Sequence, residues 1–135
     1  MEDIFVARVM TSSLQTVRPD TLVEDAGQQM LDNDVGSVIV TDEDGQLEGI
    51  LTTTDFVNIV AQSYPKAETA VSRYMSTDVV TVAAQDSIRD VADVMVEHGF
   101  KHVPVVDETA GVIGIITTSD LAAYLSRTQL PSPDE

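Results

Sequence analysis

Cysteine is missing from this chain of 135 residues, which excludes disulfides, zinc–thiolate sites and thiol catalysis. Histidine is nearly missing. His98 and His102 are the two copies, and they form neither an H-x-x-x-H spacing nor an assignable Ser-His-Asp set. No phosphate-loop motif occurs. These absences point away from an enzyme. No apolar run approaches the ~18 residues that would suggest a membrane span. The opening "MEDIFVARVM" has neither the basic start nor the apolar centre of a signal peptide. The expectation is a soluble, cytoplasmic protein.

Positive charge is scarce as well. Seven basic residues face 23 acidic ones, for a net charge of −16, and lysine stands only at Lys66 and Lys101. A field of that sign repels polyanions, so neither nucleic acid nor an anionic membrane is an expected partner. Excess carboxylate with little lysine fits a well-solvated acidic surface. It also fits adaptation to a high-salt cytoplasm, as in a halophilic archaeon, because salt screens the self-repulsion. "DEDG" (42–45) is too short for a calcium loop and reads as a hairpin turn.

What the chain does have is apolar residues, at 43 %, and a repeat. Shifted by 65 positions, Val6–Val60 aligns without a gap onto Val71–Leu125, with 16 identities in 55 pairs. Met10 meets Met75, Met30 meets Met95, and Val38 and Val40 meet Val103 and Val105. "GILTTTD" (49–55) meets "GIITTSD" (114–120). Chance does not produce this over a gapless stretch, so the chain reads as a duplication.

Each repeat carries the same order of elements. "LQTV" (14–17) and "VVTV" (79–82) are short and β-branched, which predicts strands. Thr21 with Glu24 fits a capping box, and Ser87 fits a cap in the second copy. Leu22, Val23, Ala26, Met30 and Leu31 then share one helical face, as do Ile88, Val91, Ala92, Met95 and Val96. Asn33-Asp34 and His98-Gly99 close these helices, where His98 stabilises terminal carbonyls. "SVIVTD" and "HVPVVD" read as buried strands, and "LEGIL" and "VIGII" as return strands, with Gly45 and Gly111 in the turns. "FVNIVAQS" and "LAAYLSRT" are the closing helices. The fold class is therefore α+β, two strand–helix–strand–strand–helix units. A half of about 60 residues buries a core poorly alone, so the two should pack sheet to sheet about a pseudo-twofold axis. The boundaries read as unit 1 over 1–62, a linker over 63–70, unit 2 over 71–127 and a flexible tail over 128–135.

The repeated heptapeptide bridges a buried strand and the first turn of a helix. Free N–H groups and the helix dipole favour an anion there. Thr52 and Thr117, and behind them Thr54 and Ser119, offer hydroxyls. Asp55 and Asp120 suit a vicinal diol, whose two donors can reach two carboxylate oxygens. Diol beside phosphate outlines a ribonucleotide. A simple helix cap accounts for the same residue types.

The duplication, the "HVPVVDE" strand, the "GIITTSD" ending and the "VMTSSLQTV" and "YMSTDVVTV" openings together resemble a tandem pair of cystathionine-β-synthase (CBS) domains, over about Val6–Leu125. The resemblance implies two clefts for an adenosyl ligand: AMP, ADP, ATP or S-adenosylmethionine, with or without magnesium. It implies that Asp55 and Asp120 hold ribose hydroxyls and that Thr52 and Thr117 support the ribose or phosphate. The strand segments Gly36, Ser37, Val38 and Lys101, His102, Val103 would line adenine and phosphate. Loops from Thr16 to Thr21, including Asp20, and from Thr81 to Ser87 would complete the clefts. It further implies a regulatory module and a homodimer, through Phe56, Ile59, Val60, Leu121, Tyr124 and Leu125, read by a regulated protein not identifiable from sequence. The alternative is a structural dimerisation module with vestigial clefts. Because Lys101 and His102 share a repeat with Asp120, the Asp120 cleft is expected to be the better phosphate site.

Overall fold

The computed structural model describes residues 4–61 and 69–127. Most of the expected linker and all of the expected tail lie outside these. The elements are α1 (Val6–Val9), β1 (Thr16–Val17), α2 (Val23–Asn33), β2 (Ser37–Thr41), β3 (Leu47–Thr52) and α3 (Thr53–Ala61). After them come a 3₁₀ turn (Val71–Arg73), α4 (Ile88–His98), β4 (His102–Asp107), β5 (Gly111–Thr117) and α5 (Thr118–Arg127). The fold is α+β and its two halves repeat, as expected. Gly45 and Gly111 take positive φ in the hairpin turns. Asp34 and Gly99 take it where α2 and α4 stop.

Strand alternation sorts the side chains. Val38, Val40 and Leu51 face α2 and α3, with Val17, Val23, Ala26, Met30 and Ile59 around them. Val103, Val105 and Ile116 do the same in the second half, with Val82, Val91 and Met95. Ile39 and Ile50 lie on the other face of their sheet and are still buried. That face looks onto the second sheet.

Two local expectations differ. Thr21 does not cap α2: its hydroxyl accepts from the Arg18 N–H at 3.0 Å, and the apolar Leu22 stands at the N-cap. Asp86, its counterpart, accepts from the Ala83 N–H at 2.8 Å in the same way, while Ser87 caps α4 as expected. The second opening strand shrinks to one bridge, Val82 to Val105. In the first repeat the Ile39 N–H donates to the Gln15 carbonyl at 3.0 Å. The residue matching Ile39 is Pro104, which has no N–H, so that rung cannot form.

The opening segments are exchanged between repeats. Val6 is fully buried in the core of the second half, and Val71 in the core of the first. The Val6 N–H donates to the Asp86 carbonyl at 2.8 Å, and the Val71 N–H to the Thr21 carbonyl at 2.7 Å. Five residues on, Thr11 exchanges backbone bonds with Ile115 at 2.8 and 2.9 Å, and Ser76 does so with Ile50 at 2.9 and 3.0 Å. Each half thus takes a core residue and a sheet edge from the other.

This crossing explains the glycine of the repeated heptapeptide. A Cβ on Gly49 would sit 2.7 Å from the Ser76 carbonyl oxygen and 2.9 Å from the Met75 sulfur. A Cβ on Gly114 would sit 2.6 Å from the Met10 sulfur and 3.0 Å from the Thr11 carbonyl oxygen. Gly49→Ala is expected to cost about 1–3 kcal/mol, as overpacking does, because the obstructing atom is backbone. Urea denaturation checks this, and an unchanged midpoint would contradict it.

Candidate functional site

The T-x-x-D sequence closes on itself at both helix starts. The Thr52 N–H donates to Asp55 Oδ2 at 2.8 Å, and the Asp55 N–H donates to the Thr52 hydroxyl at 3.4 Å. In the second copy the Thr117 N–H donates to Asp120 Oδ2 and the Asp120 N–H to the Thr117 hydroxyl, both at 3.0 Å. This is a reciprocal cap, so the helices begin at Thr53 and Thr118, three residues before the expected closing segments. The second oxygens differ. Asp120 Oδ1 accepts from the Thr11 hydroxyl at 3.0 Å, which ties α5 to the crossing segment of the other repeat. The cap of Asp55 uses Oδ2 only.

A cavity opens beside each cap. The first, about 390 Å³, has Thr117, Thr118 and Ser119 on one wall and Gly36, Ser37 and Ile39 on another. Thr11, Ser13, Leu14 and Gln15 complete it. The second, about 340 Å³, has Thr52, Thr53, Thr54 and Asp55 on one wall, Gly99 and Phe100 on another, and Ser76, Asp78, Val79 and Val80 completing it. Lys101 and His102 line both.

Of the expected site residues, Gly36, Ser37, Lys101, His102, Thr117 and Ser119 therefore gather at the first cavity, and Thr52, Thr54 and Asp55 at the second. Asp120 stands behind its cavity wall, held by Thr117 and Thr11. Val38 and Val103 do not reach a cavity, because strand alternation turns them into the cores, where both are fully buried. Thr16, Asp20 and Thr81 do not reach one either. Parallel pairing with Ile39 places Thr16 in the sheet, and Asp20 lies in the turn beyond it. The completing loops are instead 11–15 and 76–80, one step upstream, where the chain crosses between sheets. Their signal was the matched pair of hydroxyl residues Thr11 and Ser76 directly after Met10 and Met75. Lys101 and His102 also do not favour the Asp120 cleft, since they belong equally to the other.

His102 is the unusual side chain. A Cβ on Gly36 would lie 3.1 Å from its Cε1, so the ring lies against the opposite repeat. Its Nδ1 is buried with no hydrogen-bond partner among the described residues. Burial holds its pKa below the ordinary 6.5, the Lys101 ammonium pushes the same way, and Asp120 opposes both. His98 stacks on Phe100 at 5.4 Å. Among the described residues no group of three His, Asp or Glu side chains is placed to hold a metal, and no helix is long and apolar enough to cross a membrane.

The CBS domain family model matches the chain twice, at residues 6–62 and 71–127. The chain belongs to the CBS domain family. The CBS domain-containing protein YhcV of Bacillus subtilis is 32 % identical over 117 residues, covering 87 % of this chain and 82 % of that protein. Homoserine O-acetyltransferase of Methanosalsum zhilinae is 31 % identical over 121 residues, 90 % of this chain but only 24 % of that enzyme. The CBS pair of MJ0100, solved with 5′-methylthioadenosine and S-adenosyl-L-methionine, superposes with a TM-score of 0.86 at 23 % identity over 95 % of this chain and 100 % of that one. CBSX2, solved with AMP, gives 0.80 at 24 % identity over 93 % and 98 %. At such identity these two show the fold. The expected halophilic archaeal source is not borne out by relatives as far apart as Bacillus subtilis and Methanosalsum zhilinae.

The depressed pKa of His102 makes stability depend on pH in a defined sense. Between the folded pKa and 6.5 the unfolded chain takes up a proton that the folded CBS pair does not, so this contribution is complete above 6.5 and is lost as pH falls through the folded pKa. The melting temperature of the wild type is expected to fall more than that of His102→Asn between about pH 7.5 and about pH 5.5. Parallel falls in thermal melts would contradict this.

Proposed function

We propose that this CBS pair is a regulatory module of the cytoplasm that binds an adenosyl nucleotide in the clefts between its repeats and passes the event to a partner protein. One observation carries the reading. Each T-x-x-D corner stands beside a cavity of nucleotide size whose remaining walls come largely from the other repeat. Ligand pockets commonly span roughly 300–1,000 Å³. Asp55 has an oxygen beyond its cap for a ribose hydroxyl, and the N–H groups of Thr54 and Ser119 with the hydroxyls of Thr53, Thr54, Thr118 and Ser119 suit phosphate. The candidate ligands are AMP, ADP, ATP and S-adenosylmethionine, the polyphosphates with or without magnesium. The complexes of MJ0100 and CBSX2 support this class. A ligand spanning two repeats that exchange their opening segments changes how those repeats pack, which is a signal a partner can read.

The outer helices support a homodimer. Leu31 and Val96 are equivalent in the two repeats, as are Val60 and Leu125, and all four are exposed with Val57. Ile59 belongs to the first core with Phe56 packed against it, and Leu121 packs against the second core, so the apolar face differs from the one read from sequence. The second reading, a dimerisation module with vestigial clefts, is favoured by one observation: both oxygens of Asp120 already have protein partners.

Titration calorimetry with AMP, ATP and S-adenosylmethionine at low and high salt separates the two. A hydrogen bond to a charged group contributes about 1.5–3 kcal/mol, so Asp55→Ala is expected to lower affinity at its own cleft by about tenfold or more. Asp120→Ala is expected to lower stability by about 0.5–2 kcal/mol, as loss of a cap does. No binding by the parent protein would leave the dimerisation module.

A further inference from the structure

The two cavities share one wall, which carries the Lys101 ammonium. Lys101 and His102 line the cavity of Thr117–Ser119 and equally that of Thr52–Asp55. No other lysine or arginine among the described residues lines either cavity. The duplication does not repeat this feature, because Gly36 and Ser37 stand at the matching positions of the first repeat. The placement follows from the fold. β2 and β4 begin beside one another, so that the His102 ring covers Gly36 and leaves its Nδ1 buried without a partner among the described residues. The Lys101 carbonyl accepts from the Thr118 N–H at 3.0 Å, which fixes the root of the exposed lysine between the cavities.

Carboxylates are distributed differently. Asp34 lines the first cavity, and Asp55 and Asp78 line the second. Each cavity therefore has fixed negative charge of its own and only a share in one ammonium, on a chain of net charge −16. A lysine is a compact charge on a flexible stem that can serve either side but not both at once. A phosphate entering the cavity from which the ammonium has turned away would be desolvated beside carboxylates with no counter-charge, which is costly.

We propose that the two clefts compete for the Lys101 ammonium and the His102 imidazole, so that one chain holds one phosphorylated adenosyl ligand at a time while its other cleft takes only an adenosyl compound without phosphate. This rests on the adenosyl reading and adds a charge rule to it. The coupling needs no conformational change, because a single charged group is the shared element, and it acts in both directions.

Calorimetric titration of the full chain with AMP and, separately, with adenosine at about 0.15 M KCl and no divalent cation tests the rule. The expected result is two adenosine sites per chain but one AMP site, any second AMP binding at least about tenfold more weakly. Lys101→Met should abolish the preference for AMP over adenosine. Ser13→Lys gives the complementary arm, since Ser13 is exposed and lines only the first cavity. It should raise AMP stoichiometry to two. Two equal AMP sites in the parent, a single site for both compounds, or adenosine binding without AMP binding would each overturn the charge rule while leaving the adenosyl reading in place. Binding of neither compound would overturn both.

Discussion

The structure depends on one close approach, that of each opening segment to the return strand of the other repeat. At Gly49 the crossing backbone, and at Gly114 the Met10 sulfur of the crossing segment, come so near that a single carbon would collide with them. The contact does three things. It pairs the exposed edges of β3 and β5 through Ser76 and Thr11. It allows Val71 and Val6 to fill cores that are otherwise one residue short. And it lays segments 11–15 and 76–80 across the gap between the sheets, where they become cavity walls. A sheet edge left unpaired invites association with other chains, and a half-domain of about 60 residues has little core to spare. Exchange resolves both problems and forms the clefts in the same step.

The clefts consequently belong to neither repeat. Helix caps from one half face strand ends from the other, and a ligand in either cavity would touch both. The Thr11–Asp120 bond already links the halves at the first cavity, whereas among the described residues the second has no such link through Asp55. His102 and Lys101 lie where the two cavities meet. Burial and the neighbouring ammonium keep the imidazole neutral to lower pH than usual, which limits the cost of burying it without a partner.

Much of this could be read from the sequence. The gapless repeat yields the unit, the 3.6 and 2 periodicities yield its helices and strands, and T-x-x-D marks the caps. Packing that crosses the repeat boundary could not be read. Val6 and Val71 look like ordinary apolar residues ahead of a strand, and nothing local states that each belongs to the other half. The same blindness misplaced the cleft loops, since Thr16 and Thr81 follow the strand pattern while the crossing residues before them have none. It also assigned Lys101 and His102 to one cleft by shared repeat, when a residue near a pseudo-twofold axis faces both sides. Pro104 is the reverse case. Its missing N–H was visible in the sequence, but its effect on the second opening strand required the register.

The central claim is that each cleft is built from both repeats and that an adenosyl nucleotide occupies it. Amide hydrogen exchange with and without saturating AMP measures this directly. Protection is expected to appear together at a cap and at the crossing segment of the opposite repeat: at 117–120 with 11–15, or at 52–55 with 76–80. Protection confined to one repeat, or unchanged exchange at both caps while AMP is bound, would contradict the account.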